Sequence, residues 1–224
     1  MVLGMTSSGV VVLFMLVLAV LLTRHYLRAG HAHTLWWAVS FWLALTAAGM
    51  DFTSFAVHAW AVWQYKLYLF AAAALVAYMG AGTVYLFSRR IGRVYVIAMT
   101  LVALAMAVTL VLTPIPDIVR LPPGEKAQGF VPQAVALYFA LLSGIGAVAV
   151  FGGAVYSFFR TRRAYNLWIA LGVLIFSVGG TVGDAVGIYQ LFYAFQAAGS
   201  VVLYSGIVGS MRREEPAGRP HGSA

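Results

Sequence analysis

Two aspartates are the residues of this chain that are best placed to do chemistry. Asp51 and Asp184 each lie near one end of a long apolar segment. An ionisable side chain within a membrane-spanning helix is costly, and one that occurs there usually marks a functional site. The sequence therefore predicts two polar anchors at corresponding positions of two helices. The competing interpretation is that each carboxylate caps or pairs locally at a wet helix end.

Polar and aromatic residues follow Asp51 closely. His58 and Lys66 lie near enough in sequence to pair with an acid, and Lys66 is the predicted counter-ion of the two aspartates. The aromatic side chains predicted to wall the same region are Trp63, Tyr65, Tyr68 and Tyr189. A few polar groups among aromatic walls are typical of a small-molecule site. The pattern predicts a binding site for a small, partly apolar ligand.

The composition indicates the class of protein that positions these residues. Hydrophobic residues make up 62% of the 224 residues and charged residues 9%, which is typical of an all-α integral membrane protein. Cysteine is absent, which excludes a disulfide framework and a thiolate nucleophile. The net charge of +8 is explained by arginines in loops, so no nucleic-acid partner is expected.

Seven apolar segments are long enough to cross a membrane, since a hydrocarbon core of ~30 Å requires about 20 helical residues. They form one predicted transmembrane domain, residues 1–213, followed by a short polar tail, residues 214–224, that is expected to be disordered in the cytoplasm. The predicted helices lie near 8–28, 34–56, 66–88, 93–113, 131–159, 165–186 and 188–211.

The basic residues predict the orientation of these helices. Eleven of the fourteen lysines and arginines fall in the first, third and fifth loops and the tail. The other side has only Lys66, Arg120 and Lys126. Because basic residues accumulate on the cytoplasmic side, the N-terminus is predicted outside and the C-terminus in the cytoplasm. This orientation predicts a multi-pass protein of the cell membrane.

Glycines mark the faces on which helices are expected to pack. Gly179, Gly183 and Gly187 are spaced by four and would share one face of a helix. Gly80 and Gly206 are expected to act similarly in the third and seventh helices. Small residues let helix backbones approach closely in a membrane. Packing within the bundle is favoured over a dimer contact.

The sequence contains no motif for haem, metal or cofactor binding or for hydrolysis. All five histidines fall in loops or the tail, so no haem is expected between helices, and no other metal or cofactor is indicated. The chain has no zinc-binding spacing, phosphate-binding glycine loop or hydrolase triad. A non-enzymatic role is therefore expected, with no catalytic residues.

A weak internal repeat is one further pattern. The segment from Leu35 to Arg90 has sparse identities with the segment from Leu167 to Arg213, each ending in paired arginines. This pattern predicts three helices, a linker helix and three more helices, although sparse matches among apolar residues also arise by chance.

The same segment carries a family resemblance. Tryptophans open the second helix, Trp63-Gln-Tyr-Lys-Leu-Tyr opens the third, and Tyr78-Met-Gly-Ala-Gly-Thr-Val-Tyr-Leu-Phe closes it. This pattern resembles the seven-helix sensor regions that precede bacterial histidine kinases, without the kinase. The resemblance implies a receptor-like protein that signals to a separate partner. A retinal-binding rhodopsin is excluded, because residues 188–211 contain no lysine for the Schiff base.

Three functions remain as alternatives. The preferred hypothesis is a sensor that binds a small, partly apolar ligand in its outer half and signals to a cytoplasmic or membrane protein partner. The second is a facilitative carrier with the helix count of the SWEET sugar carriers, whose midplane cavity would be lined by Ser40, Thr46, Ser177 or Ser200. The third is an accessory subunit of a larger membrane complex. All three require the lipid bilayer as a partner.

Overall fold

All the secondary structure is helical in the residues that the computed structural model describes, which are 2–115, 131–162, 164–165, 167–175 and 189–214. We label the helices in chain order. They are α1 (Val2–Ala29), α2 (Ala32–Val57), α3 (Val62–Phe87), α4 (Arg89–Leu112), α5 (Gln133–Thr161), α6 (residues 164–165 and 167–175) and α7 (Tyr189–Glu214).

Five helical segments are long and apolar enough to cross a membrane. These segments are Met5–Ala29, Ala32–Val57, Val62–Phe87, Arg89–Leu112 and Gln133–Thr161. The shortest has 24 residues, which at ~1.5 Å per residue exceeds a hydrocarbon core of ~30 Å. The multi-pass membrane character predicted from composition is thereby confirmed. The described apolar part of α7 is shorter, Ala194–Gly209.

Short turns make neighbouring helices antiparallel. Gly30, with a φ of 66°, and His31 separate α1 from α2. Ser88 alone separates α3 from α4, and its hydroxyl accepts a hydrogen bond from the Ile91 amide at 3.3 Å. Helix α4 begins at Arg89, four residues before the predicted start at residue 93. The Ser88 side chain explains this start, because a capping serine satisfies a backbone amide of the first turn.

The turn between α2 and α3 is also shorter than expected. His58 ends α2 in the left-handed conformation, with a φ of 59°. The side-chain carbonyl of Gln64 accepts a hydrogen bond from the Ala61 amide at 3.3 Å. This bond holds the first turn of α3 together, so α3 begins at Val62 and not near residue 66.

Helix α3 lies at the centre of the bundle and packs against α2, α4 and α5. Its alanines are fully buried at positions 71, 73, 74, 77 and 81. Helix α5 runs parallel to α3, and Gly146 brings the two backbones together at the Val76 carbonyl group. Gly153 lies against the Thr83 side chain, where a Cβ atom would not fit. Small side chains therefore permit the close packing of the central helix.

Helix α1 packs against α2 and α7 on the other side of the bundle. The rings of Phe14 and Tyr204 are 5.7 Å apart, which joins α1 to α7. Gly172 of α6 lies against Leu203 of α7, and Gly206 of α7 lies against Ile169 of α6. These contacts place the described part of α6 beside α7.

One end of the bundle carries most of the described arginines. The Phe87 and Tyr156 rings, 5.3 Å apart, bring the C-terminal ends of α3 and α5 together. Trp37 near the start of α2 contacts Gly82 near the end of α3. We call this end the basic end; its residues are Arg24, Arg28, Arg89, Arg90, Arg93, Arg160 and Arg162. The turn between α2 and α3 lies at the opposite end.

Candidate functional site

Gln64 organises the opposite end of the α2–α3 pair. Its side-chain amide donates hydrogen bonds to the Met50 carbonyl and to the Thr53 hydroxyl, both at 2.7 Å. With the bond accepted from Ala61, one buried side chain joins the end of α2 to the start of α3. Gln64 was not among the predicted site residues, and a lone glutamine in a sequence has no spacing that would identify this role.

Asp51 lies on the inner face of α2 at this end. The residue is 6% exposed, and Ser54 and Phe55 beside it are also buried. The Ser54 hydroxyl donates to the backbone carbonyl of Asp51 at 2.7 Å. A carboxylate taken out of water requires polar partners, so its buried position is chemically significant. The predicted partner position, Asp184, lies outside the described residues.

Three aromatic rings form a cluster next to this polar turn. The Trp60 ring centroid lies 5.3 Å from that of Tyr65 and 5.5 Å from that of Tyr68, and the two tyrosine rings are 6.1 Å apart. Trp60 and Tyr65 are buried in the core that α3 forms with α4 and α5. We call Trp60, Tyr65 and Tyr68 the aromatic cluster.

The indole nitrogen of Trp60 is the unusual atom of the aromatic cluster. Trp60 is 2% exposed, and no acceptor in the described part of the chain lies within hydrogen-bond distance of Nε1. Ser8 Oγ and Tyr95 Oη are likewise buried without a hydrogen-bond partner among the described residues. The Tyr95 hydroxyl lies against Gly80 in a closely packed contact. Of these three described residues, Trp60 alone combines such an atom with a surrounding aromatic cluster.

The other predicted ligand residues do not all join the cluster. Trp63 is 65% exposed and faces away from it. Residues three apart on a helix share a face, as Tyr65 and Tyr68 do. Trp63 and Tyr65 are two positions apart, so their side chains point in nearly opposite directions. Lys66 is half-buried, and His58 is exposed on the turn. The side chain of Tyr189 is not among those described.

Sequence reasoning missed Trp60 and assigned it no role in the site. Trp60 precedes α3 and lies in the turn, where helical periodicity says nothing about the direction of a side chain. An indole beside an exposed turn resembles an ordinary aromatic anchor at the membrane surface. Only the path of the turn brings Trp60 back onto Tyr65 and Tyr68.

Two of the glycines predicted at helix contacts lie within the described residues. A Cβ atom at Gly80 would lie 3.1 Å from the Gly146 Cα of α5, and one at Gly206 would lie 2.9 Å from the Ile169 nitrogen of α6. Both glycines therefore lie where two helices approach closely. Gly179, Gly183 and Gly187 lie outside the described residues.

A polar contact joins three helices nearer the basic end. The Trp36 ring of α2 stacks on the Tyr78 ring of α3, with centroids 5.3 Å apart. The Tyr78 hydroxyl forms a hydrogen bond of 3.0 Å with the Thr100 hydroxyl of α4. Trp36, Tyr78 and Thr100 thus connect α2, α3 and α4.

The serines that would line a carrier's cavity are engaged with the backbone. Ser40 is 1% exposed, and its hydroxyl donates to the Leu75 carbonyl at 2.7 Å. Ser200 is fully buried and donates to the Gln196 carbonyl at 2.7 Å. Thr46 donates to the Trp42 carbonyl, and Ser177 lies outside the described residues. Ser40 and Ser200 therefore contribute to packing.

Among the described residues, no group of three or more His, Cys, Asp or Glu side chains could hold a metal ion. His31 and His33 stack with their ring centroids 5.4 Å apart. No family model, curated protein or solved structure matches the chain.

Proposed function

We propose that this protein is a receptor-like membrane protein that binds a small, partly apolar ligand at the opposite end and signals to a partner at the basic end. It has seven spans, an outer N-terminus and a cytoplasmic C-terminus. The concentration of arginines at one end supports this orientation. The two groups of three helices predicted from the internal repeat belong to the same proposal.

The unpartnered Trp60 indole carries the proposal. Leaving a buried donor without a hydrogen bond costs about 1–3 kcal/mol. A ligand with an acceptor oxygen would remove that cost, and an apolar body would stack against the tyrosine rings. The ligand class is therefore a small molecule that has a carbonyl or hydroxyl oxygen on an apolar frame. Trp60 lies in the turn between α2 and α3, outside both helices.

Asp51 is the proposed second polar anchor, with Asp184 as its counterpart and Lys66 as the counter-ion. Its burial at the same end as the aromatic cluster supports this role. A buried carboxylate would bind a donor group on the ligand, while the indole would bind an acceptor. Two such groups of opposite hydrogen-bonding character would orient the ligand.

The central helix provides a route to the basic end. Helix α3 carries Tyr65 and Tyr68 near its start and contacts α5 through Gly146 and Gly153 farther along. Its backbone cannot move there without displacing α5, because the two backbones are in direct contact. Ligand binding at the aromatic cluster would therefore shift the paired ends of α3 and α5, where a partner protein would bind.

The packing favours this role over a carrier. A carrier needs a polar path near the middle of the membrane, and two of the four residues predicted to line it, Ser40 and Ser200, are buried and bonded to the backbone. A sensor needs only a site at one end and a route for its conformational change.

Native mass spectrometry of the protein gently extracted from its own membrane tests the proposal. Trp60→Phe keeps an aromatic ring but removes the donor, and Trp63→Phe is the matched control because Trp63 faces outward. We expect a small molecule of defined mass on the wild type and the control, with occupancy reduced about tenfold in Trp60→Phe, the equivalent of 1.4 kcal/mol. Asp51→Asn should also lower occupancy. Equal occupancy in all proteins, or no bound molecule on the wild type, would refute the site.

A further inference from the structure

A cleft at the basic end is separate from the aromatic cluster and independent of the function proposed above. Its volume is about 650 Å³, and it lies between the end of α5, the start of α6 and α7. Its principal lining residues are Thr161, Arg162, Tyr165, Trp168, Ser205 and Gly209. Among the described residues, the groups that line the cleft are one guanidinium group, two aliphatic hydroxyls and two aromatic rings.

Arg162 supplies the positive charge of the cleft. It ends α5 in the left-handed conformation, with a φ of 53°, and is exposed. Its guanidinium carbon lies 5.9 Å from the centre of the Phe159 ring, which orients the side chain through a cation–π contact. A guanidinium group matches the geometry of a phosphate, because it can donate two parallel hydrogen bonds.

The Ser205 hydroxyl has the opposite hydrogen-bonding character. The Thr161 hydroxyl donates to the Ser157 carbonyl at 2.7 Å, and the Ser205 hydroxyl donates to the Val201 carbonyl at 2.9 Å. The Ser205 hydroxyl has thereby used its hydrogen, so its oxygen is left to accept from a ligand. The cleft consequently suits a ligand that has both an anionic phosphate and an O–H or N–H donor.

The surface next to the cleft is apolar and faces outward. Along α6, the outward-facing side chains Trp168, Leu171 and Leu174 follow one another at helical spacing away from the basic end. Phe159 on α5 is also exposed. A polar head group in the cleft would therefore continue into a strip of apolar surface suited to hydrocarbon chains.

We propose that this cleft binds a glycerophospholipid, with its phosphate on Arg162, a head-group hydroxyl or ammonium on Ser205, and its acyl chains along α6. Phosphatidylglycerol and phosphatidylethanolamine both carry such donors. Phosphatidylcholine does not, because its quaternary ammonium group has no N–H. A soluble phosphate ester shares the phosphate and hydroxyl chemistry but has no chains to cover α6.

Thermal unfolding of the delipidated full-length protein in detergent tests this site. The probes are dioleoyl phosphatidylglycerol, dioleoyl phosphatidylcholine and soluble glycerophosphoglycerol. Arg162→Asn removes the charge with a residue that tolerates positive φ, and Arg93→Gln is the control at a basic-end arginine that does not line the cleft. We expect phosphatidylglycerol to stabilise the wild type and the control most, with about tenfold weaker binding to Arg162→Asn, as expected for loss of a charged hydrogen bond.

Ser205→Ala provides a second test that does not depend on Arg162→Asn folding. Loss of the acceptor oxygen should reduce the preference for phosphatidylglycerol over phosphatidylcholine. Unchanged binding by Arg162→Asn, or an unchanged preference in Ser205→Ala, would overturn the proposal. Equal stabilisation by the soluble ester would also overturn it, since the acyl chains would then contribute nothing.

Discussion

The indole of Trp60 meets the phenol of Tyr65 edge to face, with ring centroids 5.3 Å apart and ring planes at 79°. This contact folds the turn between α2 and α3 back onto the core formed by α3, α4 and α5. Aromatic pairs in this arrangement contribute about 0.5–1.5 kcal/mol beyond the area that they bury. The turn is therefore part of the packed structure, and any molecule that separates the two rings acts directly on the central helix.

Gln64→Ala should destabilise the protein by about 1–3 kcal/mol, because it removes the hydrogen bonds to Met50, Thr53 and Ala61 at a buried position. Thr53→Val removes one of these bonds and should cause a smaller loss. Thermal unfolding of the two variants in the same detergent measures both effects. A Gln64→Ala protein as stable as the wild type would show that this side chain does not hold the turn.

Gly146→Ala should destabilise the protein by about 1–3 kcal/mol, as overpacking of a tight core does. The added methyl group would meet the Val76 carbonyl group, which is backbone and cannot rotate away. Gly144→Ala is the matched control on the same helix, since nothing lies within 4 Å of the position of its Cβ atom. The midpoint of thermal unfolding should fall in the first variant and be unchanged or higher in the second. Equal midpoints would contradict the close α3–α5 contact.

Single cysteines can establish which end of the bundle faces outward, because the chain has no cysteine of its own. Val57 lies at the opposite end and Leu27 near the basic end, and both side chains are more than 70% exposed. A membrane-impermeant maleimide should label Val57→Cys on intact cells and Leu27→Cys only after lysis, given the positive-inside rule. The reverse pattern would invert the proposed orientation.

The sequence by itself determined the all-helical, multi-pass character of the protein. In a membrane, a long apolar run satisfies the hydrogen bonds of its own backbone N–H and C=O groups only as a helix. The length of each run therefore predicts a membrane-spanning helix without knowledge of its neighbours. The five described helices that are long and apolar enough to cross a membrane agree with this reasoning. The exact ends of α3 and α4 did not follow from hydropathy, because they depend on single side-chain bonds made by Gln64 and Ser88.

Only the tertiary structure decided which side chains meet. Trp60 and Trp63 have the same chemistry and lie three positions apart, yet Trp60 is 2% exposed and Trp63 is 65% exposed. The difference arises because Trp60 precedes the helix and follows the path of the turn, while Trp63 takes its direction from α3. The cleft beside Arg162 likewise brings Ser205 and Gly209 of α7 beside residues of α5 and α6 that are distant from them in sequence. Contacts of this kind depend on how the helices pack against one another. The apolar pattern is similar in every long apolar segment, so it does not specify that packing.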